Sequence, residues 1–186
     1  SLPLTKTILP ELLPLVNLDD YKLHIMRLLG QMVDSNLITT KDYDVYYSKF
    51  LLEAKQEMKK QAIAEKQAAI QKAEESKSDE KPYRSYYSNE DKDFGNDDLS
   101  LYATLLLPYW DSKPAVQPLL QQMLASNDKR LKYNTMLLMV RNQKQVPDTL
   151  MSYYAGLDEY RYELYTDLKT LKKKDLFPAK YNNHVD

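Results

Sequence analysis

Asp20 and His24, one helical turn apart, are the residues here whose types and spacing come closest to chemistry. A carboxylate and an imidazole at i, i+4 share one face of a helix, where they could hold a metal ion or work as an acid–base pair. Two ligands do not make a site, and the sequence places no third beside them. Asp20 reads as an acidic residue at a helix start, and His24 as a partly exposed helical residue. The other histidine, His184, falls in the C-terminal tail. Asp97, Asp98, Asp148 and Asp158 stand where helices should begin, and no two of them share an apolar helix face as general acid–base work requires. Glu159, Arg161, Glu163 and Lys169 read as a solvated face with local ion pairs. The chain has no cysteine, which excludes disulfides, thiolate metal sites and cysteine nucleophiles. Phosphate-cradling glycine loops and serine-centred nucleophile motifs are missing. The expectation is a non-enzyme with no cofactor, no metal and no catalytic residue.

Charge is nearly balanced, Lys+Arg 26 against Asp+Glu 27, so no bulk field draws the chain to nucleic acid. The longest apolar runs are too short to span a bilayer, so membrane insertion is not expected. Only 3 glycines, Gly30, Gly95 and Gly156, argue against strand-rich folds and for helices joined by Pro, Asp, Asn and Ser. The 16 tyrosines, against 3 Phe and 1 Trp, suit either amphipathic packing or a recognition surface. There is no sequon and no signal-peptide pattern, and the start Ser-Leu-Pro suggests an excised or processed fragment of a longer chain. The compartment stays open.

The elements follow from periodicity. A first helix is expected over 7–16, with Pro10 early and Pro14 bending it. The Asp19-Asp20 turn caps a second over 21–34, with a broad stripe of Leu23, Ile25, Met26, Leu28, Leu29, Met32 and Val33. Thr39 or Thr40 starts a third, carrying Tyr43, Tyr46, Tyr47, Phe50, Leu51, Ala54 and Met58. This helix should continue through 59–75 as a solvated arm in which Ile63 and Ile70 are the only large apolar groups. That pair could seed self-assembly, though two points do not make a coiled coil. Residues 76–96 read as a charged, tyrosine-containing linker. Helices should follow from Asp97-Asp98 to Pro108, from Ser112–Pro114 to about Leu124, from Asp128 through Arg141, from Pro147-Asp148 to a C′ glycine at Gly156, and over 158–174. Pro178 should stop anything further. Domain limits fall at 1–75, 76–96 and 97–186.

One helical pair recurs at a constant offset. Ile8, Pro10, Leu12, Leu15, Val16, Asp20, Leu23, Leu28, Leu29, Met32 and Ile38 match Val116, Pro118, Leu120, Met123, Leu124, Asp128, Leu131, Met136, Leu137, Val140 and Val146 without a gap. From Leu9-Pro10-Glu11-Leu12-Leu13 through Leu28-Leu29-Gly30-Gln31-Met32 this hairpin resembles a HEAT-type repeat. Pro10, the acidic turn and Leu29-Gly30 carry the likeness. The second copy has Leu137-Leu138 where the glycine would fall, and His24 and Lys132 replace the family's arginine. The resemblance implies an all-α, HEAT-like solenoid with one long helix and a flexible insertion. A second resemblance, of Asp97-Asp98-Leu99-Ser100-Leu101-Tyr102-Ala103-Thr104-Leu105-Leu106-Leu107-Pro108 and Phe177-Pro178-Ala179-Lys180-Tyr181, is to the C-terminal helical part of long bacterial TraB/GumN-type proteins. It implies an accessory region of an exported or periplasmic protein, without that family's catalytic motif.

The functional expectation is a non-catalytic module that binds a protein partner or supports neighbouring domains. Candidate surface residues are Tyr83, Tyr86, Tyr87, Tyr109, Trp110, Tyr153 and Tyr154. The alternatives are the accessory role and a nucleic-acid binder, which would need the lysines of 55–72 and 169–174 on one face.

Overall fold

Pro10 and Pro14 shape the start of the chain. In the computed structural model, which describes residues 2–75 and 97–184, α1 runs Leu2–Leu12 and carries Pro10 inside it. A 3-10 turn, Leu13–Asn17, then takes over with Pro14 in its opening positions. The expected single helix over 7–16 is therefore two pieces, because proline has no N–H for the α pattern and a tighter turn tolerates it. α2 is Asp19–Asp34, with Leu18 as its N-cap residue. Asp19 and Asp20 thus lie in the first turn rather than before it, where their charge complements the helix dipole.

The third helix also arrives in pieces. Thr39 precedes α3, Thr40–Tyr43, and its N–H donates to Asp42 Oδ2 at 2.7 Å. A 3-10 turn, Asp44–Tyr46, leads into α4, Tyr47–Glu75. The break turns Tyr43 into the core, where it is fully buried. After residue 96 come α5, Asp97–Leu106, and a 3-10 turn, Leu107–Tyr109, around Pro108. Next are α6, Val116–Ala125, and α7, Lys129–Arg141. α8, Asp148–Gly156, and α9, Asp158–Thr170, complete the α-helices. Two 3-10 turns, Lys174–Leu176 and Ala179–His184, follow, so structure continues past Pro178. All regular structure among the described residues is helical.

Three helices end without glycine. α2, α7 and α9 each place a non-glycine residue, Asn36, Gln143 and Lys172, in the left-handed region just past the end. The next N–H reaches back to close a Schellman turn: Leu37 to Met32 O at 2.8 Å, Lys144 to Met139 O at 2.9 Å, and Lys173 to Leu168 O at 2.8 Å. Gly156, expected as such a terminus, instead has an ordinary φ and ends α8 from within. α9 stops at Thr170 because Lys172 turns left-handed, which puts Lys172, Lys173 and Lys174 beyond the helix.

Two compact units divide the chain, Ser1–Lys132 and Tyr133–Asp186. The division falls inside α7 and not at 75 or 97, because α5 packs against both α2 and α4. Leu99, Tyr102, Ala103, Leu105 and Leu106 are all buried, which covers most of the circumference of α5. Gly30 of α2 makes one of these contacts possible: a Cβ there would lie 3.3 Å from Thr104 Cγ2 of α5. The recurring pair corresponds to α1–α2 and α6–α7, but the matched positions differ in burial. Met32 and Val140 are both buried, whereas Leu28 and Ile8 are exposed where Met136 and Val116 are buried. In the second unit α8 and α9 form a hairpin, and Phe177 is buried with its ring edge-on to Tyr165 at 5.3 Å.

The Gly30 contact gives a direct test. Gly30→Leu should cost about 1–3 kcal/mol in urea unfolding, because the added atoms must displace Thr104 in a filled interface. An unchanged midpoint would show that α2 and α5 do not approach this closely.

Candidate interaction surface

The side chains with chemical capacity sit at the helix junctions of the first unit. Glu53 of α4 is the clearest case. Its Oε2 accepts from Tyr102 Oη of α5 at 2.8 Å and pairs with Lys22 Nζ of α2 at 3.0 Å, while Oε1 pairs with Lys49 Nζ at 3.0 Å. Lys22 also stands 5.6 Å from the centre of the Tyr102 ring. Burial pushes the Glu53 carboxyl upward, but the donors Lys49, Lys22 and Tyr102 outweigh it and hold the group below the usual carboxylate range. Tyr102 moves the other way: burial first, then its bond to Glu53, raise its phenol well above the ordinary value. General acid–base catalysis wants groups poised near neutrality. These two are driven apart from it in opposite directions.

A second junction uses two phenols in exchange. Tyr43 Oη donates to Leu105 O at 3.0 Å and Tyr109 Oη donates to Thr40 O at 2.9 Å, with the rings edge-to-face at 5.7 Å. Leu105 lies in the last turn of α5, where carbonyls lack a partner within the helix. Burial raises both phenols, so they stay protonated donors. Beside them Lys113 Nζ sits 4.9 Å from the centre of the Tyr47 ring and 3.7 Å from Asp44 Oδ1.

The arm of α4 is less solvated than its composition predicts. Glu65 Oε1 accepts from Ser126 Oγ at 2.6 Å, from the Asn127 N–H at 3.1 Å and from Gln61 Nε2 at 3.2 Å. Asp128 Oδ1 in turn accepts from the Leu131 N–H at 2.9 Å, capping α7. α4 is thus fastened to the α6–α7 turn as far as Glu65. Burial acts to raise this carboxyl, yet Ser126, Asn127 and Gln61 hold it low.

In the second unit the rings of Tyr133, Tyr154 and Tyr160 meet mutually at 5.0–5.1 Å, and Tyr133 Oη donates to Asp167 Oδ2 at 2.8 Å. Arg161 does more than join a solvated face. Its Nε donates to Ala155 O at 2.7 Å and Nη2 to Gly156 O at 3.3 Å, capping the end of α8, while Nη2 pairs with Asp158 at 2.7 Å. Tyr181 lies over this group with its ring centre 5.4 Å from the guanidinium, and a Cβ on Gly156 would come within 3.0 Å of the Tyr181 hydroxyl. Gly156 therefore leaves room for Tyr181, whose segment packs back on the hairpin.

These junctions sort the expected surface residues. Tyr109, at 2% exposure, and Tyr154, at 0%, are core residues and not surface anchors. Burial of their rings explains the correction, with the Tyr109 hydroxyl satisfied by a backbone carbonyl. Trp110 is half-buried, and its carbonyl accepts from Gln117 Nε2 at 3.0 Å. Tyr153 is 44% exposed and packs edge-on to Tyr154 at 5.0 Å. Tyr83, Tyr86 and Tyr87 lie outside the described residues. The exposed Leu18 just before α2, Tyr21 and Leu28 on α2 and Tyr162 on α9 were not among the expected surface residues. Tyr21 and Leu28 are seven apart, and the width of the α2 stripe was the available signal. Asp20 and His24 are exposed, and no group of three or more potential metal ligands occurs among the described residues.

Glu53→Gln should lower stability at neutral pH by about 1–3 kcal/mol, the cost of a charged hydrogen-bonding group left incomplete. Because the folded-state pKa is depressed, the contribution is complete above the ordinary glutamate range and is lost as pH falls through the folded value. The gap between wild type and variant should therefore close in acid, and a pH-independent gap in urea titrations would contradict the network. Comparisons with family models, curated proteins and solved structures return no match to this chain.

Proposed function

We propose that the chain is a non-catalytic helical scaffold that binds a protein partner or steadies neighbouring domains of a longer chain. The observation that carries this reading is the state of the Glu53–Tyr102 pair. The most chemically capable side chains in the first unit tie α2, α4 and α5 together, with protonation states held away from neutrality. Rigid junctions of this kind present a fixed outer surface, and aromatic side chains on such a surface make effective anchors. Tyr21 with Leu18 and Leu28 supplies one such row on the first unit, and Tyr153 and Tyr162 supply exposed rings on the second.

HEAT-like stacking stays within this proposal. The recurrence of the α1–α2 sequence pattern at α6–α7, with Pro10 and Pro118 at matching places, supports it. The unequal burial of matched positions and the seating of α5 against both α2 and α4 weigh against a simple stack of consecutive pairs. A place beside a TraB/GumN-type domain of an exported protein is the neighbouring-domain form of the same role.

The test is capture of a partner from the native source by the full chain. Tyr21→Ala/Leu28→Ala and Tyr153→Ala/Tyr162→Ala should each keep Tm within a few degrees, since the replaced groups are exposed. At least one of the pairs should weaken capture by about tenfold or more, as loss of an aromatic anchor does. Full capture by both variants would remove these rows from the reading.

A further inference from the structure

Over residues 47–70, α4 sorts its charges by side. Its carboxylates between Tyr47 and Ile70 are turned to intramolecular partners: Glu53 to Lys22, Lys49 and Tyr102, Glu57 to Lys60, and Glu65 to Ser126 and Asn127. Phe50 and Ala54, on that same side, are fully buried. The opposite side carries Lys55, Lys59 and Lys66, all exposed and with no ion pair to any described residue. Between them stand Leu52 at 58% exposure, Ile63 at 58% and Ile70 at 48%. At about 3.6 residues per turn, Ile63 lies about three turns from Leu52 and Ile70 about five, so the row runs straight along the helix for about 27 Å.

We propose that this outward face of α4 docks on an anionic phospholipid surface, with Lys55, Lys59 and Lys66 at the headgroups and Leu52, Ile63 and Ile70 entering the interfacial layer. Charge and side-chain chemistry point to that occupant. Between Tyr47 and Ile70 the free charges on this face are all lysines, with Glu74 the next exposed charge one turn beyond Ile70, so a parallel second copy laid on the face would set lysine against lysine. An acidic surface complements them. Lysine stems can lie along the bilayer boundary while their ammonium groups stay in water, so the mixture of lysine and isoleucine on one face is compatible with it. The contact is peripheral, since no helix among the described residues is long and apolar enough to cross a membrane.

Vesicle co-sedimentation of the full chain tests this, independently of partner capture. The chain should pellet with mixed phosphatidylcholine–phosphatidylserine vesicles and not with phosphatidylcholine alone, and salt should release it. Lys55→Glu/Lys59→Glu/Lys66→Glu should reduce partition into the mixed vesicles by about tenfold or more, with unchanged circular dichroism and Tm. Leu52→Ser/Ile63→Ser/Ile70→Ser should weaken it as well while leaving the salt dependence in place. Lys55→Gln/Lys59→Gln/Lys66→Gln serves as a milder variant and should fall between wild type and the reversal. Equal pelleting with neutral vesicles, or no loss in the charge-reversed variant, overturns the proposal. So does a finding that the face binds polyglutamate but not vesicles, or that it drives concentration-dependent dimers in sedimentation.

Discussion

Glu53 is the constraint on which the first unit depends. A partly buried carboxylate is costly unless its charge is met, and here donors come from three helices at once: Lys22 of α2, Lys49 of α4 itself and Tyr102 of α5. The observed arrangement of those helices satisfies it. Hydrophobic burial alone is non-directional and does not fix how α2, α4 and α5 rotate against one another. The ionic junction removes that freedom, and Gly30 fixes how closely α2 and α5 may approach. Specificity of packing, more than raw stability, is what such a network supplies.

Tyrosine is used here to the same end. Leucine or phenylalanine could fill the volumes of Tyr43, Tyr102, Tyr109 and Tyr133, but each of these buried rings also carries a hydroxyl that must find an acceptor. The acceptors are Leu105 O, Glu53, Thr40 O and Asp167, each on another element. A helix that slipped by one residue would leave a buried hydroxyl unpaired, which costs about 1–3 kcal/mol per group. Four of the 16 tyrosines are placed by these tethers. The tyrosine count suited packing as well as a recognition surface, and Tyr109 and Tyr154 belong to packing.

The helices themselves were legible from spacing. The stripe on α2, the Thr39 start and the turn at Ser126-Asn127-Asp128 all lie where periodicity and capping residues put them. What spacing could not reveal was partnership across long sequence distances. Glu65 looked like one more charge on a solvated arm, and only the fold brings Ser126 and Asn127 to it. Arg161 looked like half of a local ion pair, and its service to the α8 carbonyls depends on the hairpin turning at Leu157. Gly156 carried a familiar signal for a helix terminus, yet its smallness answers to Tyr181, far along the chain. Local rules locate elements, whereas these residues are explained by what arrives opposite them. Of the expected surface, Tyr153 and the half-buried Trp110 keep exposure, because a tyrosine's burial is decided by neighbouring helices that one helix's sequence does not contain.

The same logic accounts for the character of α4. A long helix rich in Lys, Glu, Gln and Ala has strong intrinsic helicity, so its sequence is free to vary on any face without loss of the helix. Random placement would scatter both signs around it. Instead, over residues 47–70, Glu53, Glu57 and Glu65 fall on the side that meets the fold or a paired lysine, and Lys55, Lys59 and Lys66 fall on the side that does not. The inward carboxylates answer to Tyr102 and to the α6–α7 turn, so their positions follow from folding. No folding demand places the outward lysines between Leu52, Ile63 and Ile70. Solvation alone would be served as well by glutamate at any of the three, and it would remove the net positive charge that those side chains give one face of a chain with formal net charge −1. A sorted face that the fold does not require is where a selective pressure from outside the fold is expected to act.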